Sequence, residues 1–589
     1  MTSQPSPDRA ARAPAGPSFA DLFTPKIVTV FREGYGLGDL RADAVAALTV
    51  AIVALPLSMA IAIASGTTPD RGLFTAIVGA IVVSALGGSR FQIAGPAGAF
   101  IVLVASVAAR HGIEGVIVAT MMAGVFLTAA GFLRLGTYVK FIPYPVTVGF
   151  TAGIAVTILA SQIHDLLGLT LAGKEPGELL PKLEVLGAAL PTASFAAIAL
   201  SALSIAVIAA VRRWRPHWPG MLIAVVLASG AAVLLQLPVE TIGSKFGGIP
   251  RTLPLPSLPH VSLDFLVTML PDALAFALLG AIESLLSAVV ADSITGRRHR
   301  SNCELVAQGV ANVASGLFGG ITVTGTIART VTNVRAGAHG PISGILHSVF
   351  LLAFMLVAAP LAKYIPLAAL AGVLAVVAWN MAEKHAIATL LRSSKGDALV
   401  LAATFFLTIF RDLTTGILVG FGFGALLFLH RMAQATSIES TAWSADDVAD
   451  ATHDEGHNYD PALATDRDLV IVRVTGAFFF GAAANIGAAL DRIADLPKTF
   501  ILDFAAVPFL DSTAAKTVEG TALRAQKHGV RLIVTGASPH IVENLAAHGV
   551  HAPLVAFAPS IDAAVARIAA ERAATAASPA ANPSAVLPA

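Results

Sequence analysis

Ala94-Gly-Pro-Ala-Gly-Ala-Phe100 and Thr322-Val-Thr-Gly-Thr-Ile-Ala-Arg329 lie in separate halves of one long apolar array. Each reads as a half-helix that begins inside a membrane. A Gly/Pro or Gly/Thr break frees backbone N–H groups at mid-depth, and such a break persists only where the backbone lines a cavity enclosed by protein. Two facing helix N-termini form an anion site, and matched interruptions in two halves point to the binding site of a secondary transporter.

The surroundings of both breaks are those of a membrane protein. Of 589 residues, 56% are hydrophobic and 13% charged, and the mean hydropathy is +0.77. A soluble chain carries about 25% charged residues. Apolar stretches of spanning length recur from Ala44 to Leu429, the pattern of a polytopic protein. The Pro-, Ser- and Ala-rich start lacks the layout of a cleavable signal. The net charge of +1 offers no basic field for nucleic acid, and the single cysteine, Cys303, excludes a disulfide or a thiol metal cluster within one chain. No metal and no cofactor are expected. The absence of a Gly-Lys-Ser/Thr nucleotide loop leaves an ATP-driven pump unsupported.

Fourteen spans are expected, near 43–64, 71–87, 95–109, 113–133, 141–162, 193–211, 218–236, 268–292, 303–319, 324–334, 341–360, 367–382, 397–410 and 414–430. Seven fall in each repeat (41–236 and 268–433), so the halves are inverted. The dense Lys/Arg clusters, such as Arg212-Arg213-Trp-Arg215 and Arg297-Arg298-His-Arg300, all fall on one side, which the positive-inside rule makes cytoplasmic. The protein is expected in the cytoplasmic (inner) membrane, with its 1–40 segment and its carboxyl terminus inside. A Pro-rich linker is expected over 237–267 and a polar one over 434–466. Alternating strand and helix patterns over 467–573 predict an α/β domain on a mostly parallel sheet, followed by a disordered tail over 574–589.

Leu55-Pro-Leu-Ser-Met-Ala60, Gly66-Thr-Thr-Pro-Asp-Arg-Gly-Leu-Phe74, Gly88-Ser89, Gly95-Pro96, Gly280-Ala-Ile-Glu-Ser-Leu285 and Ile327-Ala-Arg-Thr330 together resemble the SulP anion permeases, which end in a cytoplasmic STAS domain. The run from Gly280 to Ala338 most resembles the bacterial C4-dicarboxylate branch. The resemblance implies an all-α membrane fold of two inverted repeats plus a STAS domain, and a homodimer. It also implies an elevator-type movement of a core (spans 1–4 and 8–11) against a gate (spans 5–7 and 12–14).

Ala97, Gly98, Ala99 and Phe100 are expected to face Gly325, Thr326, Ile327 and Ala328 across the substrate. The alternative is that these small residues only permit close helix packing. Ala328 stands where many relatives carry a hydroxyl. Arg329 is read as a positive field for the anion, or else as a structural cation paired with a carboxylate or with the ends of neighbouring helices. Glu283 is read as the proton site, or else as a partner of Arg329 or of hydrogen bonds that rigidify the core, and sodium could replace the proton. Asp292 is expected to pair locally, and Gly416, Gly420 and Gly424 to pack a helix closely. Ser512, in Leu510-Asp-Ser-Thr513, occupies the position that STAS antagonists present for phosphorylation, although a helix cap is the simpler reading.

The expected activity is secondary symport of a small dicarboxylate, fumarate- or succinate-like, with no enzymatic step. Sulfate or bicarbonate carriage is the runner-up. Further rivals are an uncoupled anion channel and a scaffold whose STAS domain recruits a cytoplasmic protein partner.

Overall fold

Gly, Pro and capping residues set where each apolar run of this chain starts, breaks and stops. The computed structural model describes residues 18–138, 141–173, 175–176, 179–215, 218–259, 261–411, 413–440, 469–483, 487 and 498–577. Two compact units divide the chain, Met1–Gly424 and Ala425–Ala589.

In the first unit a short helix α1 (Lys26–Gly34) precedes α2 (Leu37–Ala64), α3 (Pro69–Leu86), α4 (Gly98–Phe132), α5 (Tyr144–Leu167), α6 (Phe195–Trp214) and α7 (Gly220–Leu234). The second half contributes α8 (Leu263–Thr295), α9 (Ser301–Leu317), α10 (Ile327–Arg335), α11 (Ile342–Ala362), α12 (Leu367–Met381) and α13 (Lys395–Phe410), and α14 (Leu413–Ala435) follows. Among the described residues, nine helical runs are long and apolar enough to cross a membrane. Helices occupy every expected span. The third and fourth run on as α4, broken at Gly112, whose φ of +68° and ψ of −170° no helix contains.

Lipid tails are as apolar as leucine, so small residues rather than hydrophobicity hold these helices together. A Cβ on Gly124 of α4 would lie 2.6 Å from the Gly309 carbonyl of α9, and one on Gly420 of α14 would lie 2.1 Å from Thr404 Oγ1 of α13. Gly416, Gly420 and Gly424 of α14 thus pack against Thr408, Thr404 and Pro143 of the same chain.

Some boundaries differ from expectation. The linker over 237–267 is shorter, because Ser262 caps α8 by accepting from Phe265 N–H at 3.2 Å, and it contains a helical turn, Ile242–Phe246. The expected loops hold helices Leu179–Ala189 and Lys384–Ser393. The amino-terminal segment is helical over Phe19–Phe23 and again from Lys26, tied by Lys26 N–H to the Gly87 carbonyl and by Arg300 to the Thr24 carbonyl and Thr29. Beside α1, the Arg90 guanidinium holds the Glu33 carboxyl below its ordinary range.

The second unit carries a five-stranded sheet in chain order: β3 (Ser437–Ser440), β4 (Leu469–Thr475), β5 (Thr499–Ala506), β6 (Arg531–Thr535) and β7 (Ala556–Ala558). All neighbours pair in parallel except β3, an antiparallel edge. Phe500, Leu502 and Phe504 face α15 (Ser512–Lys527) and α16 (Pro539–Ala547), while Ile501 and Ile533 face α17 (Ile561–Ala577). Strand β3 replaces the first part of the expected linker over 434–466. The rest of that linker to residue 468 and the tail from 578 lie outside the described residues.

Candidate functional site

The two breaks meet. Ala94–Gly95 (β1) and Thr324–Gly325 (β2) pair antiparallel, Ala94 with Gly325 and Gly95 with Thr324. This is the arrangement two inverted halves produce at their shared axis. Thr326 donates both its N–H and its hydroxyl to the Ile93 carbonyl at 3.0 Å, and Ile93 N–H donates to Thr330 Oγ1 at 3.1 Å. Asn312 of α9 pairs with the backbone of Val323 on both sides, at 2.9 and 2.8 Å. Inside α3 a π-turn over Thr75–Gly79 brings the Thr75 hydroxyl to Ile321 N–H at 2.7 Å. Such π-turns recur at functional sites.

From this crossing α4 and α10 depart with free N–H ends. A helix start has no carbonyl one turn back, which leaves Gly98 and Ala99 on one helix and Ile327, Ala328 and Arg329 on the other. Gly98 and Ile327 are half-buried and Ala328 is exposed, whereas Ala97, Ala99 and Phe100 are buried. Thr326 is committed to Ile93, so its contribution is to hold α10 in place. Phe100 packs edge-on against Phe276 at 5.9 Å.

The glycines of the breaks make room for polar side chains. A Cβ on Gly95 would lie 2.3 Å from Arg329 Nη1, and one on Gly325 would lie 1.6 Å from Gln92 Nε2. Both positions therefore do more than bring helix backbones together. Arg329 is 2% exposed. Its Nη2 donates to Ser58 Oγ at 3.0 Å and to the Pro96 carbonyl at 3.3 Å, while Nε and Nη1 have no partner. No carboxylate reaches it among the described residues, so pairing with a carboxylate does not hold, whereas the bond to the Pro96 carbonyl ties it to the end of a neighbouring helix. His347, fully buried nearby, also has neither ring nitrogen bonded.

Glu283 lies on α8 between Gly280, whose carbonyl accepts from Thr324 at 3.3 Å, and Ser287, which donates to Thr330 at 3.0 Å. The spacing places Glu283 on the helix face turned toward the start of α10. It is 7% exposed and has no ion pair or hydrogen bond among the described residues. A salt bridge between Glu283 and Arg329 is thus absent: the hydrogen bonds of the guanidinium go to Ser58 of α2 and to the Pro96 carbonyl.

Two site residues were not evident in the sequence. A Cβ on Gly98 would lie 3.4 Å from both Ile158 Cδ1 and Met381 Sδ, so α5 and α12 close over the start of α4. Nothing distinguishes these residues from their apolar neighbours. Ser58 had a signal, since it stands inside the Leu55–Ala60 signature, and so did Gln92, a polar residue two positions before the break.

Elsewhere, Asp292 accepts from His299 N–H at 2.9 Å, a local pairing. In the second unit the cap of α15 is Asp511, which accepts from Ala514 N–H at 2.9 Å and Phe480 N–H at 3.0 Å. Ser512 is exposed in the first turn. Its reading as a cap is corrected, because the extended residue before the turn takes that place.

A family model for the sulfate permease family matches residues 40–404, and one for the STAS domain matches 460–564. YvdB of Bacillus subtilis, provisionally named a sulfate transporter, is 39% identical over 508 residues, covering 86% of this chain and 93% of its own. The bicarbonate transporter BicA of Synechocystis is 30% identical over 523 residues, covering 85% and 89%. The solved transmembrane domain of a cyanobacterial BicA superposes with a TM-score of 0.58 at 33% identity, covering 65% of this chain and 98% of that one. The overall structure of SLC26A9 superposes with a TM-score of 0.80 at 18% identity, covering 94% and 93%, a likeness of fold.

Proposed function

The chain belongs to the sulfate permease family and ends in a STAS domain, and on that premise we propose that it imports a small dicarboxylate, fumarate- or succinate-like, together with a proton. As a member it is a multi-pass membrane protein that transports anions. The observation that carries the finer reading is the pair of helix starts, Gly98–Ala99 and Ile327–Arg329, brought together by β1 and β2 with an unpaired guanidinium behind them and an unpaired carboxyl beside them.

Free N–H groups and Arg329 supply the positive field an anion needs. Phe100, Ile158 and Met381 offer hydrocarbon to the body of the substrate, which suits a carboxylate with a carbon skeleton better than a bare oxyanion. Ala328, without a hydroxyl, points the same way. Glu283 takes up the proton, which offsets one incoming negative charge and lowers the cost of crossing a low-dielectric barrier. In the elevator reading, α2–α4 and α8–α11 move as the core against a gate of α5–α7 and α12–α14, in a homodimer with both termini cytoplasmic.

Sulfate or bicarbonate is the second reading, favoured by the names of the relatives above, and sodium in place of the proton fits the same carboxylate. The test is uptake of labelled fumarate, sulfate and bicarbonate into proteoliposomes under an inward proton gradient, with Glu283→Gln beside the wild type. Fumarate accumulation that the variant loses, with exchange retained, supports the reading. Entry of sulfate or bicarbonate alone replaces the substrate. Accumulation by the variant removes the proton role, and current far above carrier flux makes the protein a channel.

A further inference from the structure

A groove of about 690 Å³ opens between α5, α6 and α12 on the flank of the helical unit. Its wall is apolar: Leu159, Ile205, Ile208 and Val376 line it, and Leu159 and Ile205 are 40% and 37% exposed. One end of it is basic. Arg212 and Arg213 stand there, Arg212 held by a 2.8 Å hydrogen bond to Asn380. Neither has a carboxylate within ion-pair reach among the described residues. Lys384 adds a third cation, its Nζ 3.5 Å from the Trp379 ring centroid.

Tryptophan marks the depth of this end. Trp379 lines it and is 64% exposed, and Trp214, next to Arg213 in sequence, is 76% exposed. Indole rings concentrate where headgroups meet the hydrocarbon, and basic pockets between spanning helices bind anionic headgroups.

We propose that the groove binds one anionic phospholipid, its phosphate on Arg212 and Arg213 and an acyl chain along Leu159, Ile205 and Val376. A free phosphate would leave the apolar wall without purpose. A second copy packed twofold would set the same arginines against each other. Ile158 and Met381, which close over Gly98, are sequence neighbours of groove residues on α5 and α12.

Native mass spectrometry of the delipidated full-length protein titrated with phosphatidylglycerol or phosphatidylcholine tests this. Preferential binding of phosphatidylglycerol is expected, weakened about fivefold for each arginine removed in Arg212→Ala and Arg213→Ala. Ile205→Trp, at a half-exposed position, fills the groove and blocks the lipid with both arginines in place. Equal binding of the two lipids by the wild type overturns the proposal without reference to any variant. So does displacement by inorganic phosphate, or a change in the monomer–dimer ratio of the variants with lipid binding intact.

Discussion

Glu283 and Glu304 are both carboxylates buried in apolar helices of the same unit, on α8 and α9, yet the structure treats them in opposite ways. Glu304 accepts from Ser89 N–H and from Gln308 Nε2, each at 3.0 Å, and is fully enclosed. It fastens the turn after α3 to α9. Glu283 has no partner among the described residues, and neither does most of the Arg329 guanidinium. Burying an ionisable group without a charge partner is costly, so two such groups of opposite sign beside one crossing, not paired with each other, are what the proposed anion site would need. A buried charge by its presence alone indicates little; its partners separate strut from site.

The largest effect expected from this contrast is on binding. Arg329→Gln should weaken the transported anion about a hundredfold, the equivalent of the ~3 kcal/mol a charge-assisted contact contributes, while the melting temperature holds or rises because an unpaired buried charge is gone. Equilibrium binding of labelled anion and thermal unfolding of the detergent-solubilised protein read the two. Unchanged affinity would move Arg329 to the side of Glu304.

Next comes the direct exchange of roles. Glu304→Ala strands Ser89 N–H and the Gln308 amide and should cost about 2–4 kcal/mol of stability, with gradient coupling intact in the protein that remains folded. Glu283→Ala should do the reverse, losing coupling at under ~1 kcal/mol of stability. Equal unfolding losses in the two would erase the distinction.

The crossing was legible because Gly, Pro and Thr stand out against an apolar background, and Gly95–Pro96 and Gly325–Thr326 fall at matching places. The direction in which Arg329 points was not legible. Pairing with Glu283 fits the sequence equally well, and only the packing of Ser58 and Gly95 around the guanidinium excludes it. Ile158 and Met381 carry no local signal, since contact between distant apolar residues is a tertiary fact. In the second unit the β and α runs were plain, but Asp511 and Ser512 are both competent caps. Which one caps depends on where the backbone becomes extended, φ −95° and ψ 176° at Asp511.

The smaller effects sharpen what holds the crossing itself. Gly325→Ala places a methyl where Gln92 Nε2 lies and should cost about 1–3 kcal/mol by overpacking. Adding Gln92→Ala should recover most of that loss, since the obstacle is a side chain with no hydrogen bond of its own. Thr326→Val is smaller still. It removes the hydroxyl bond to the Ile93 carbonyl but keeps the N–H bond to the same atom, so about 1 kcal/mol is expected, with anion affinity unchanged. A Thr326→Val protein that melts like wild type but binds anion tenfold more weakly would mean that the hydroxyl turns to the ligand, and Thr326 would then join Arg329 among the groups kept open for it.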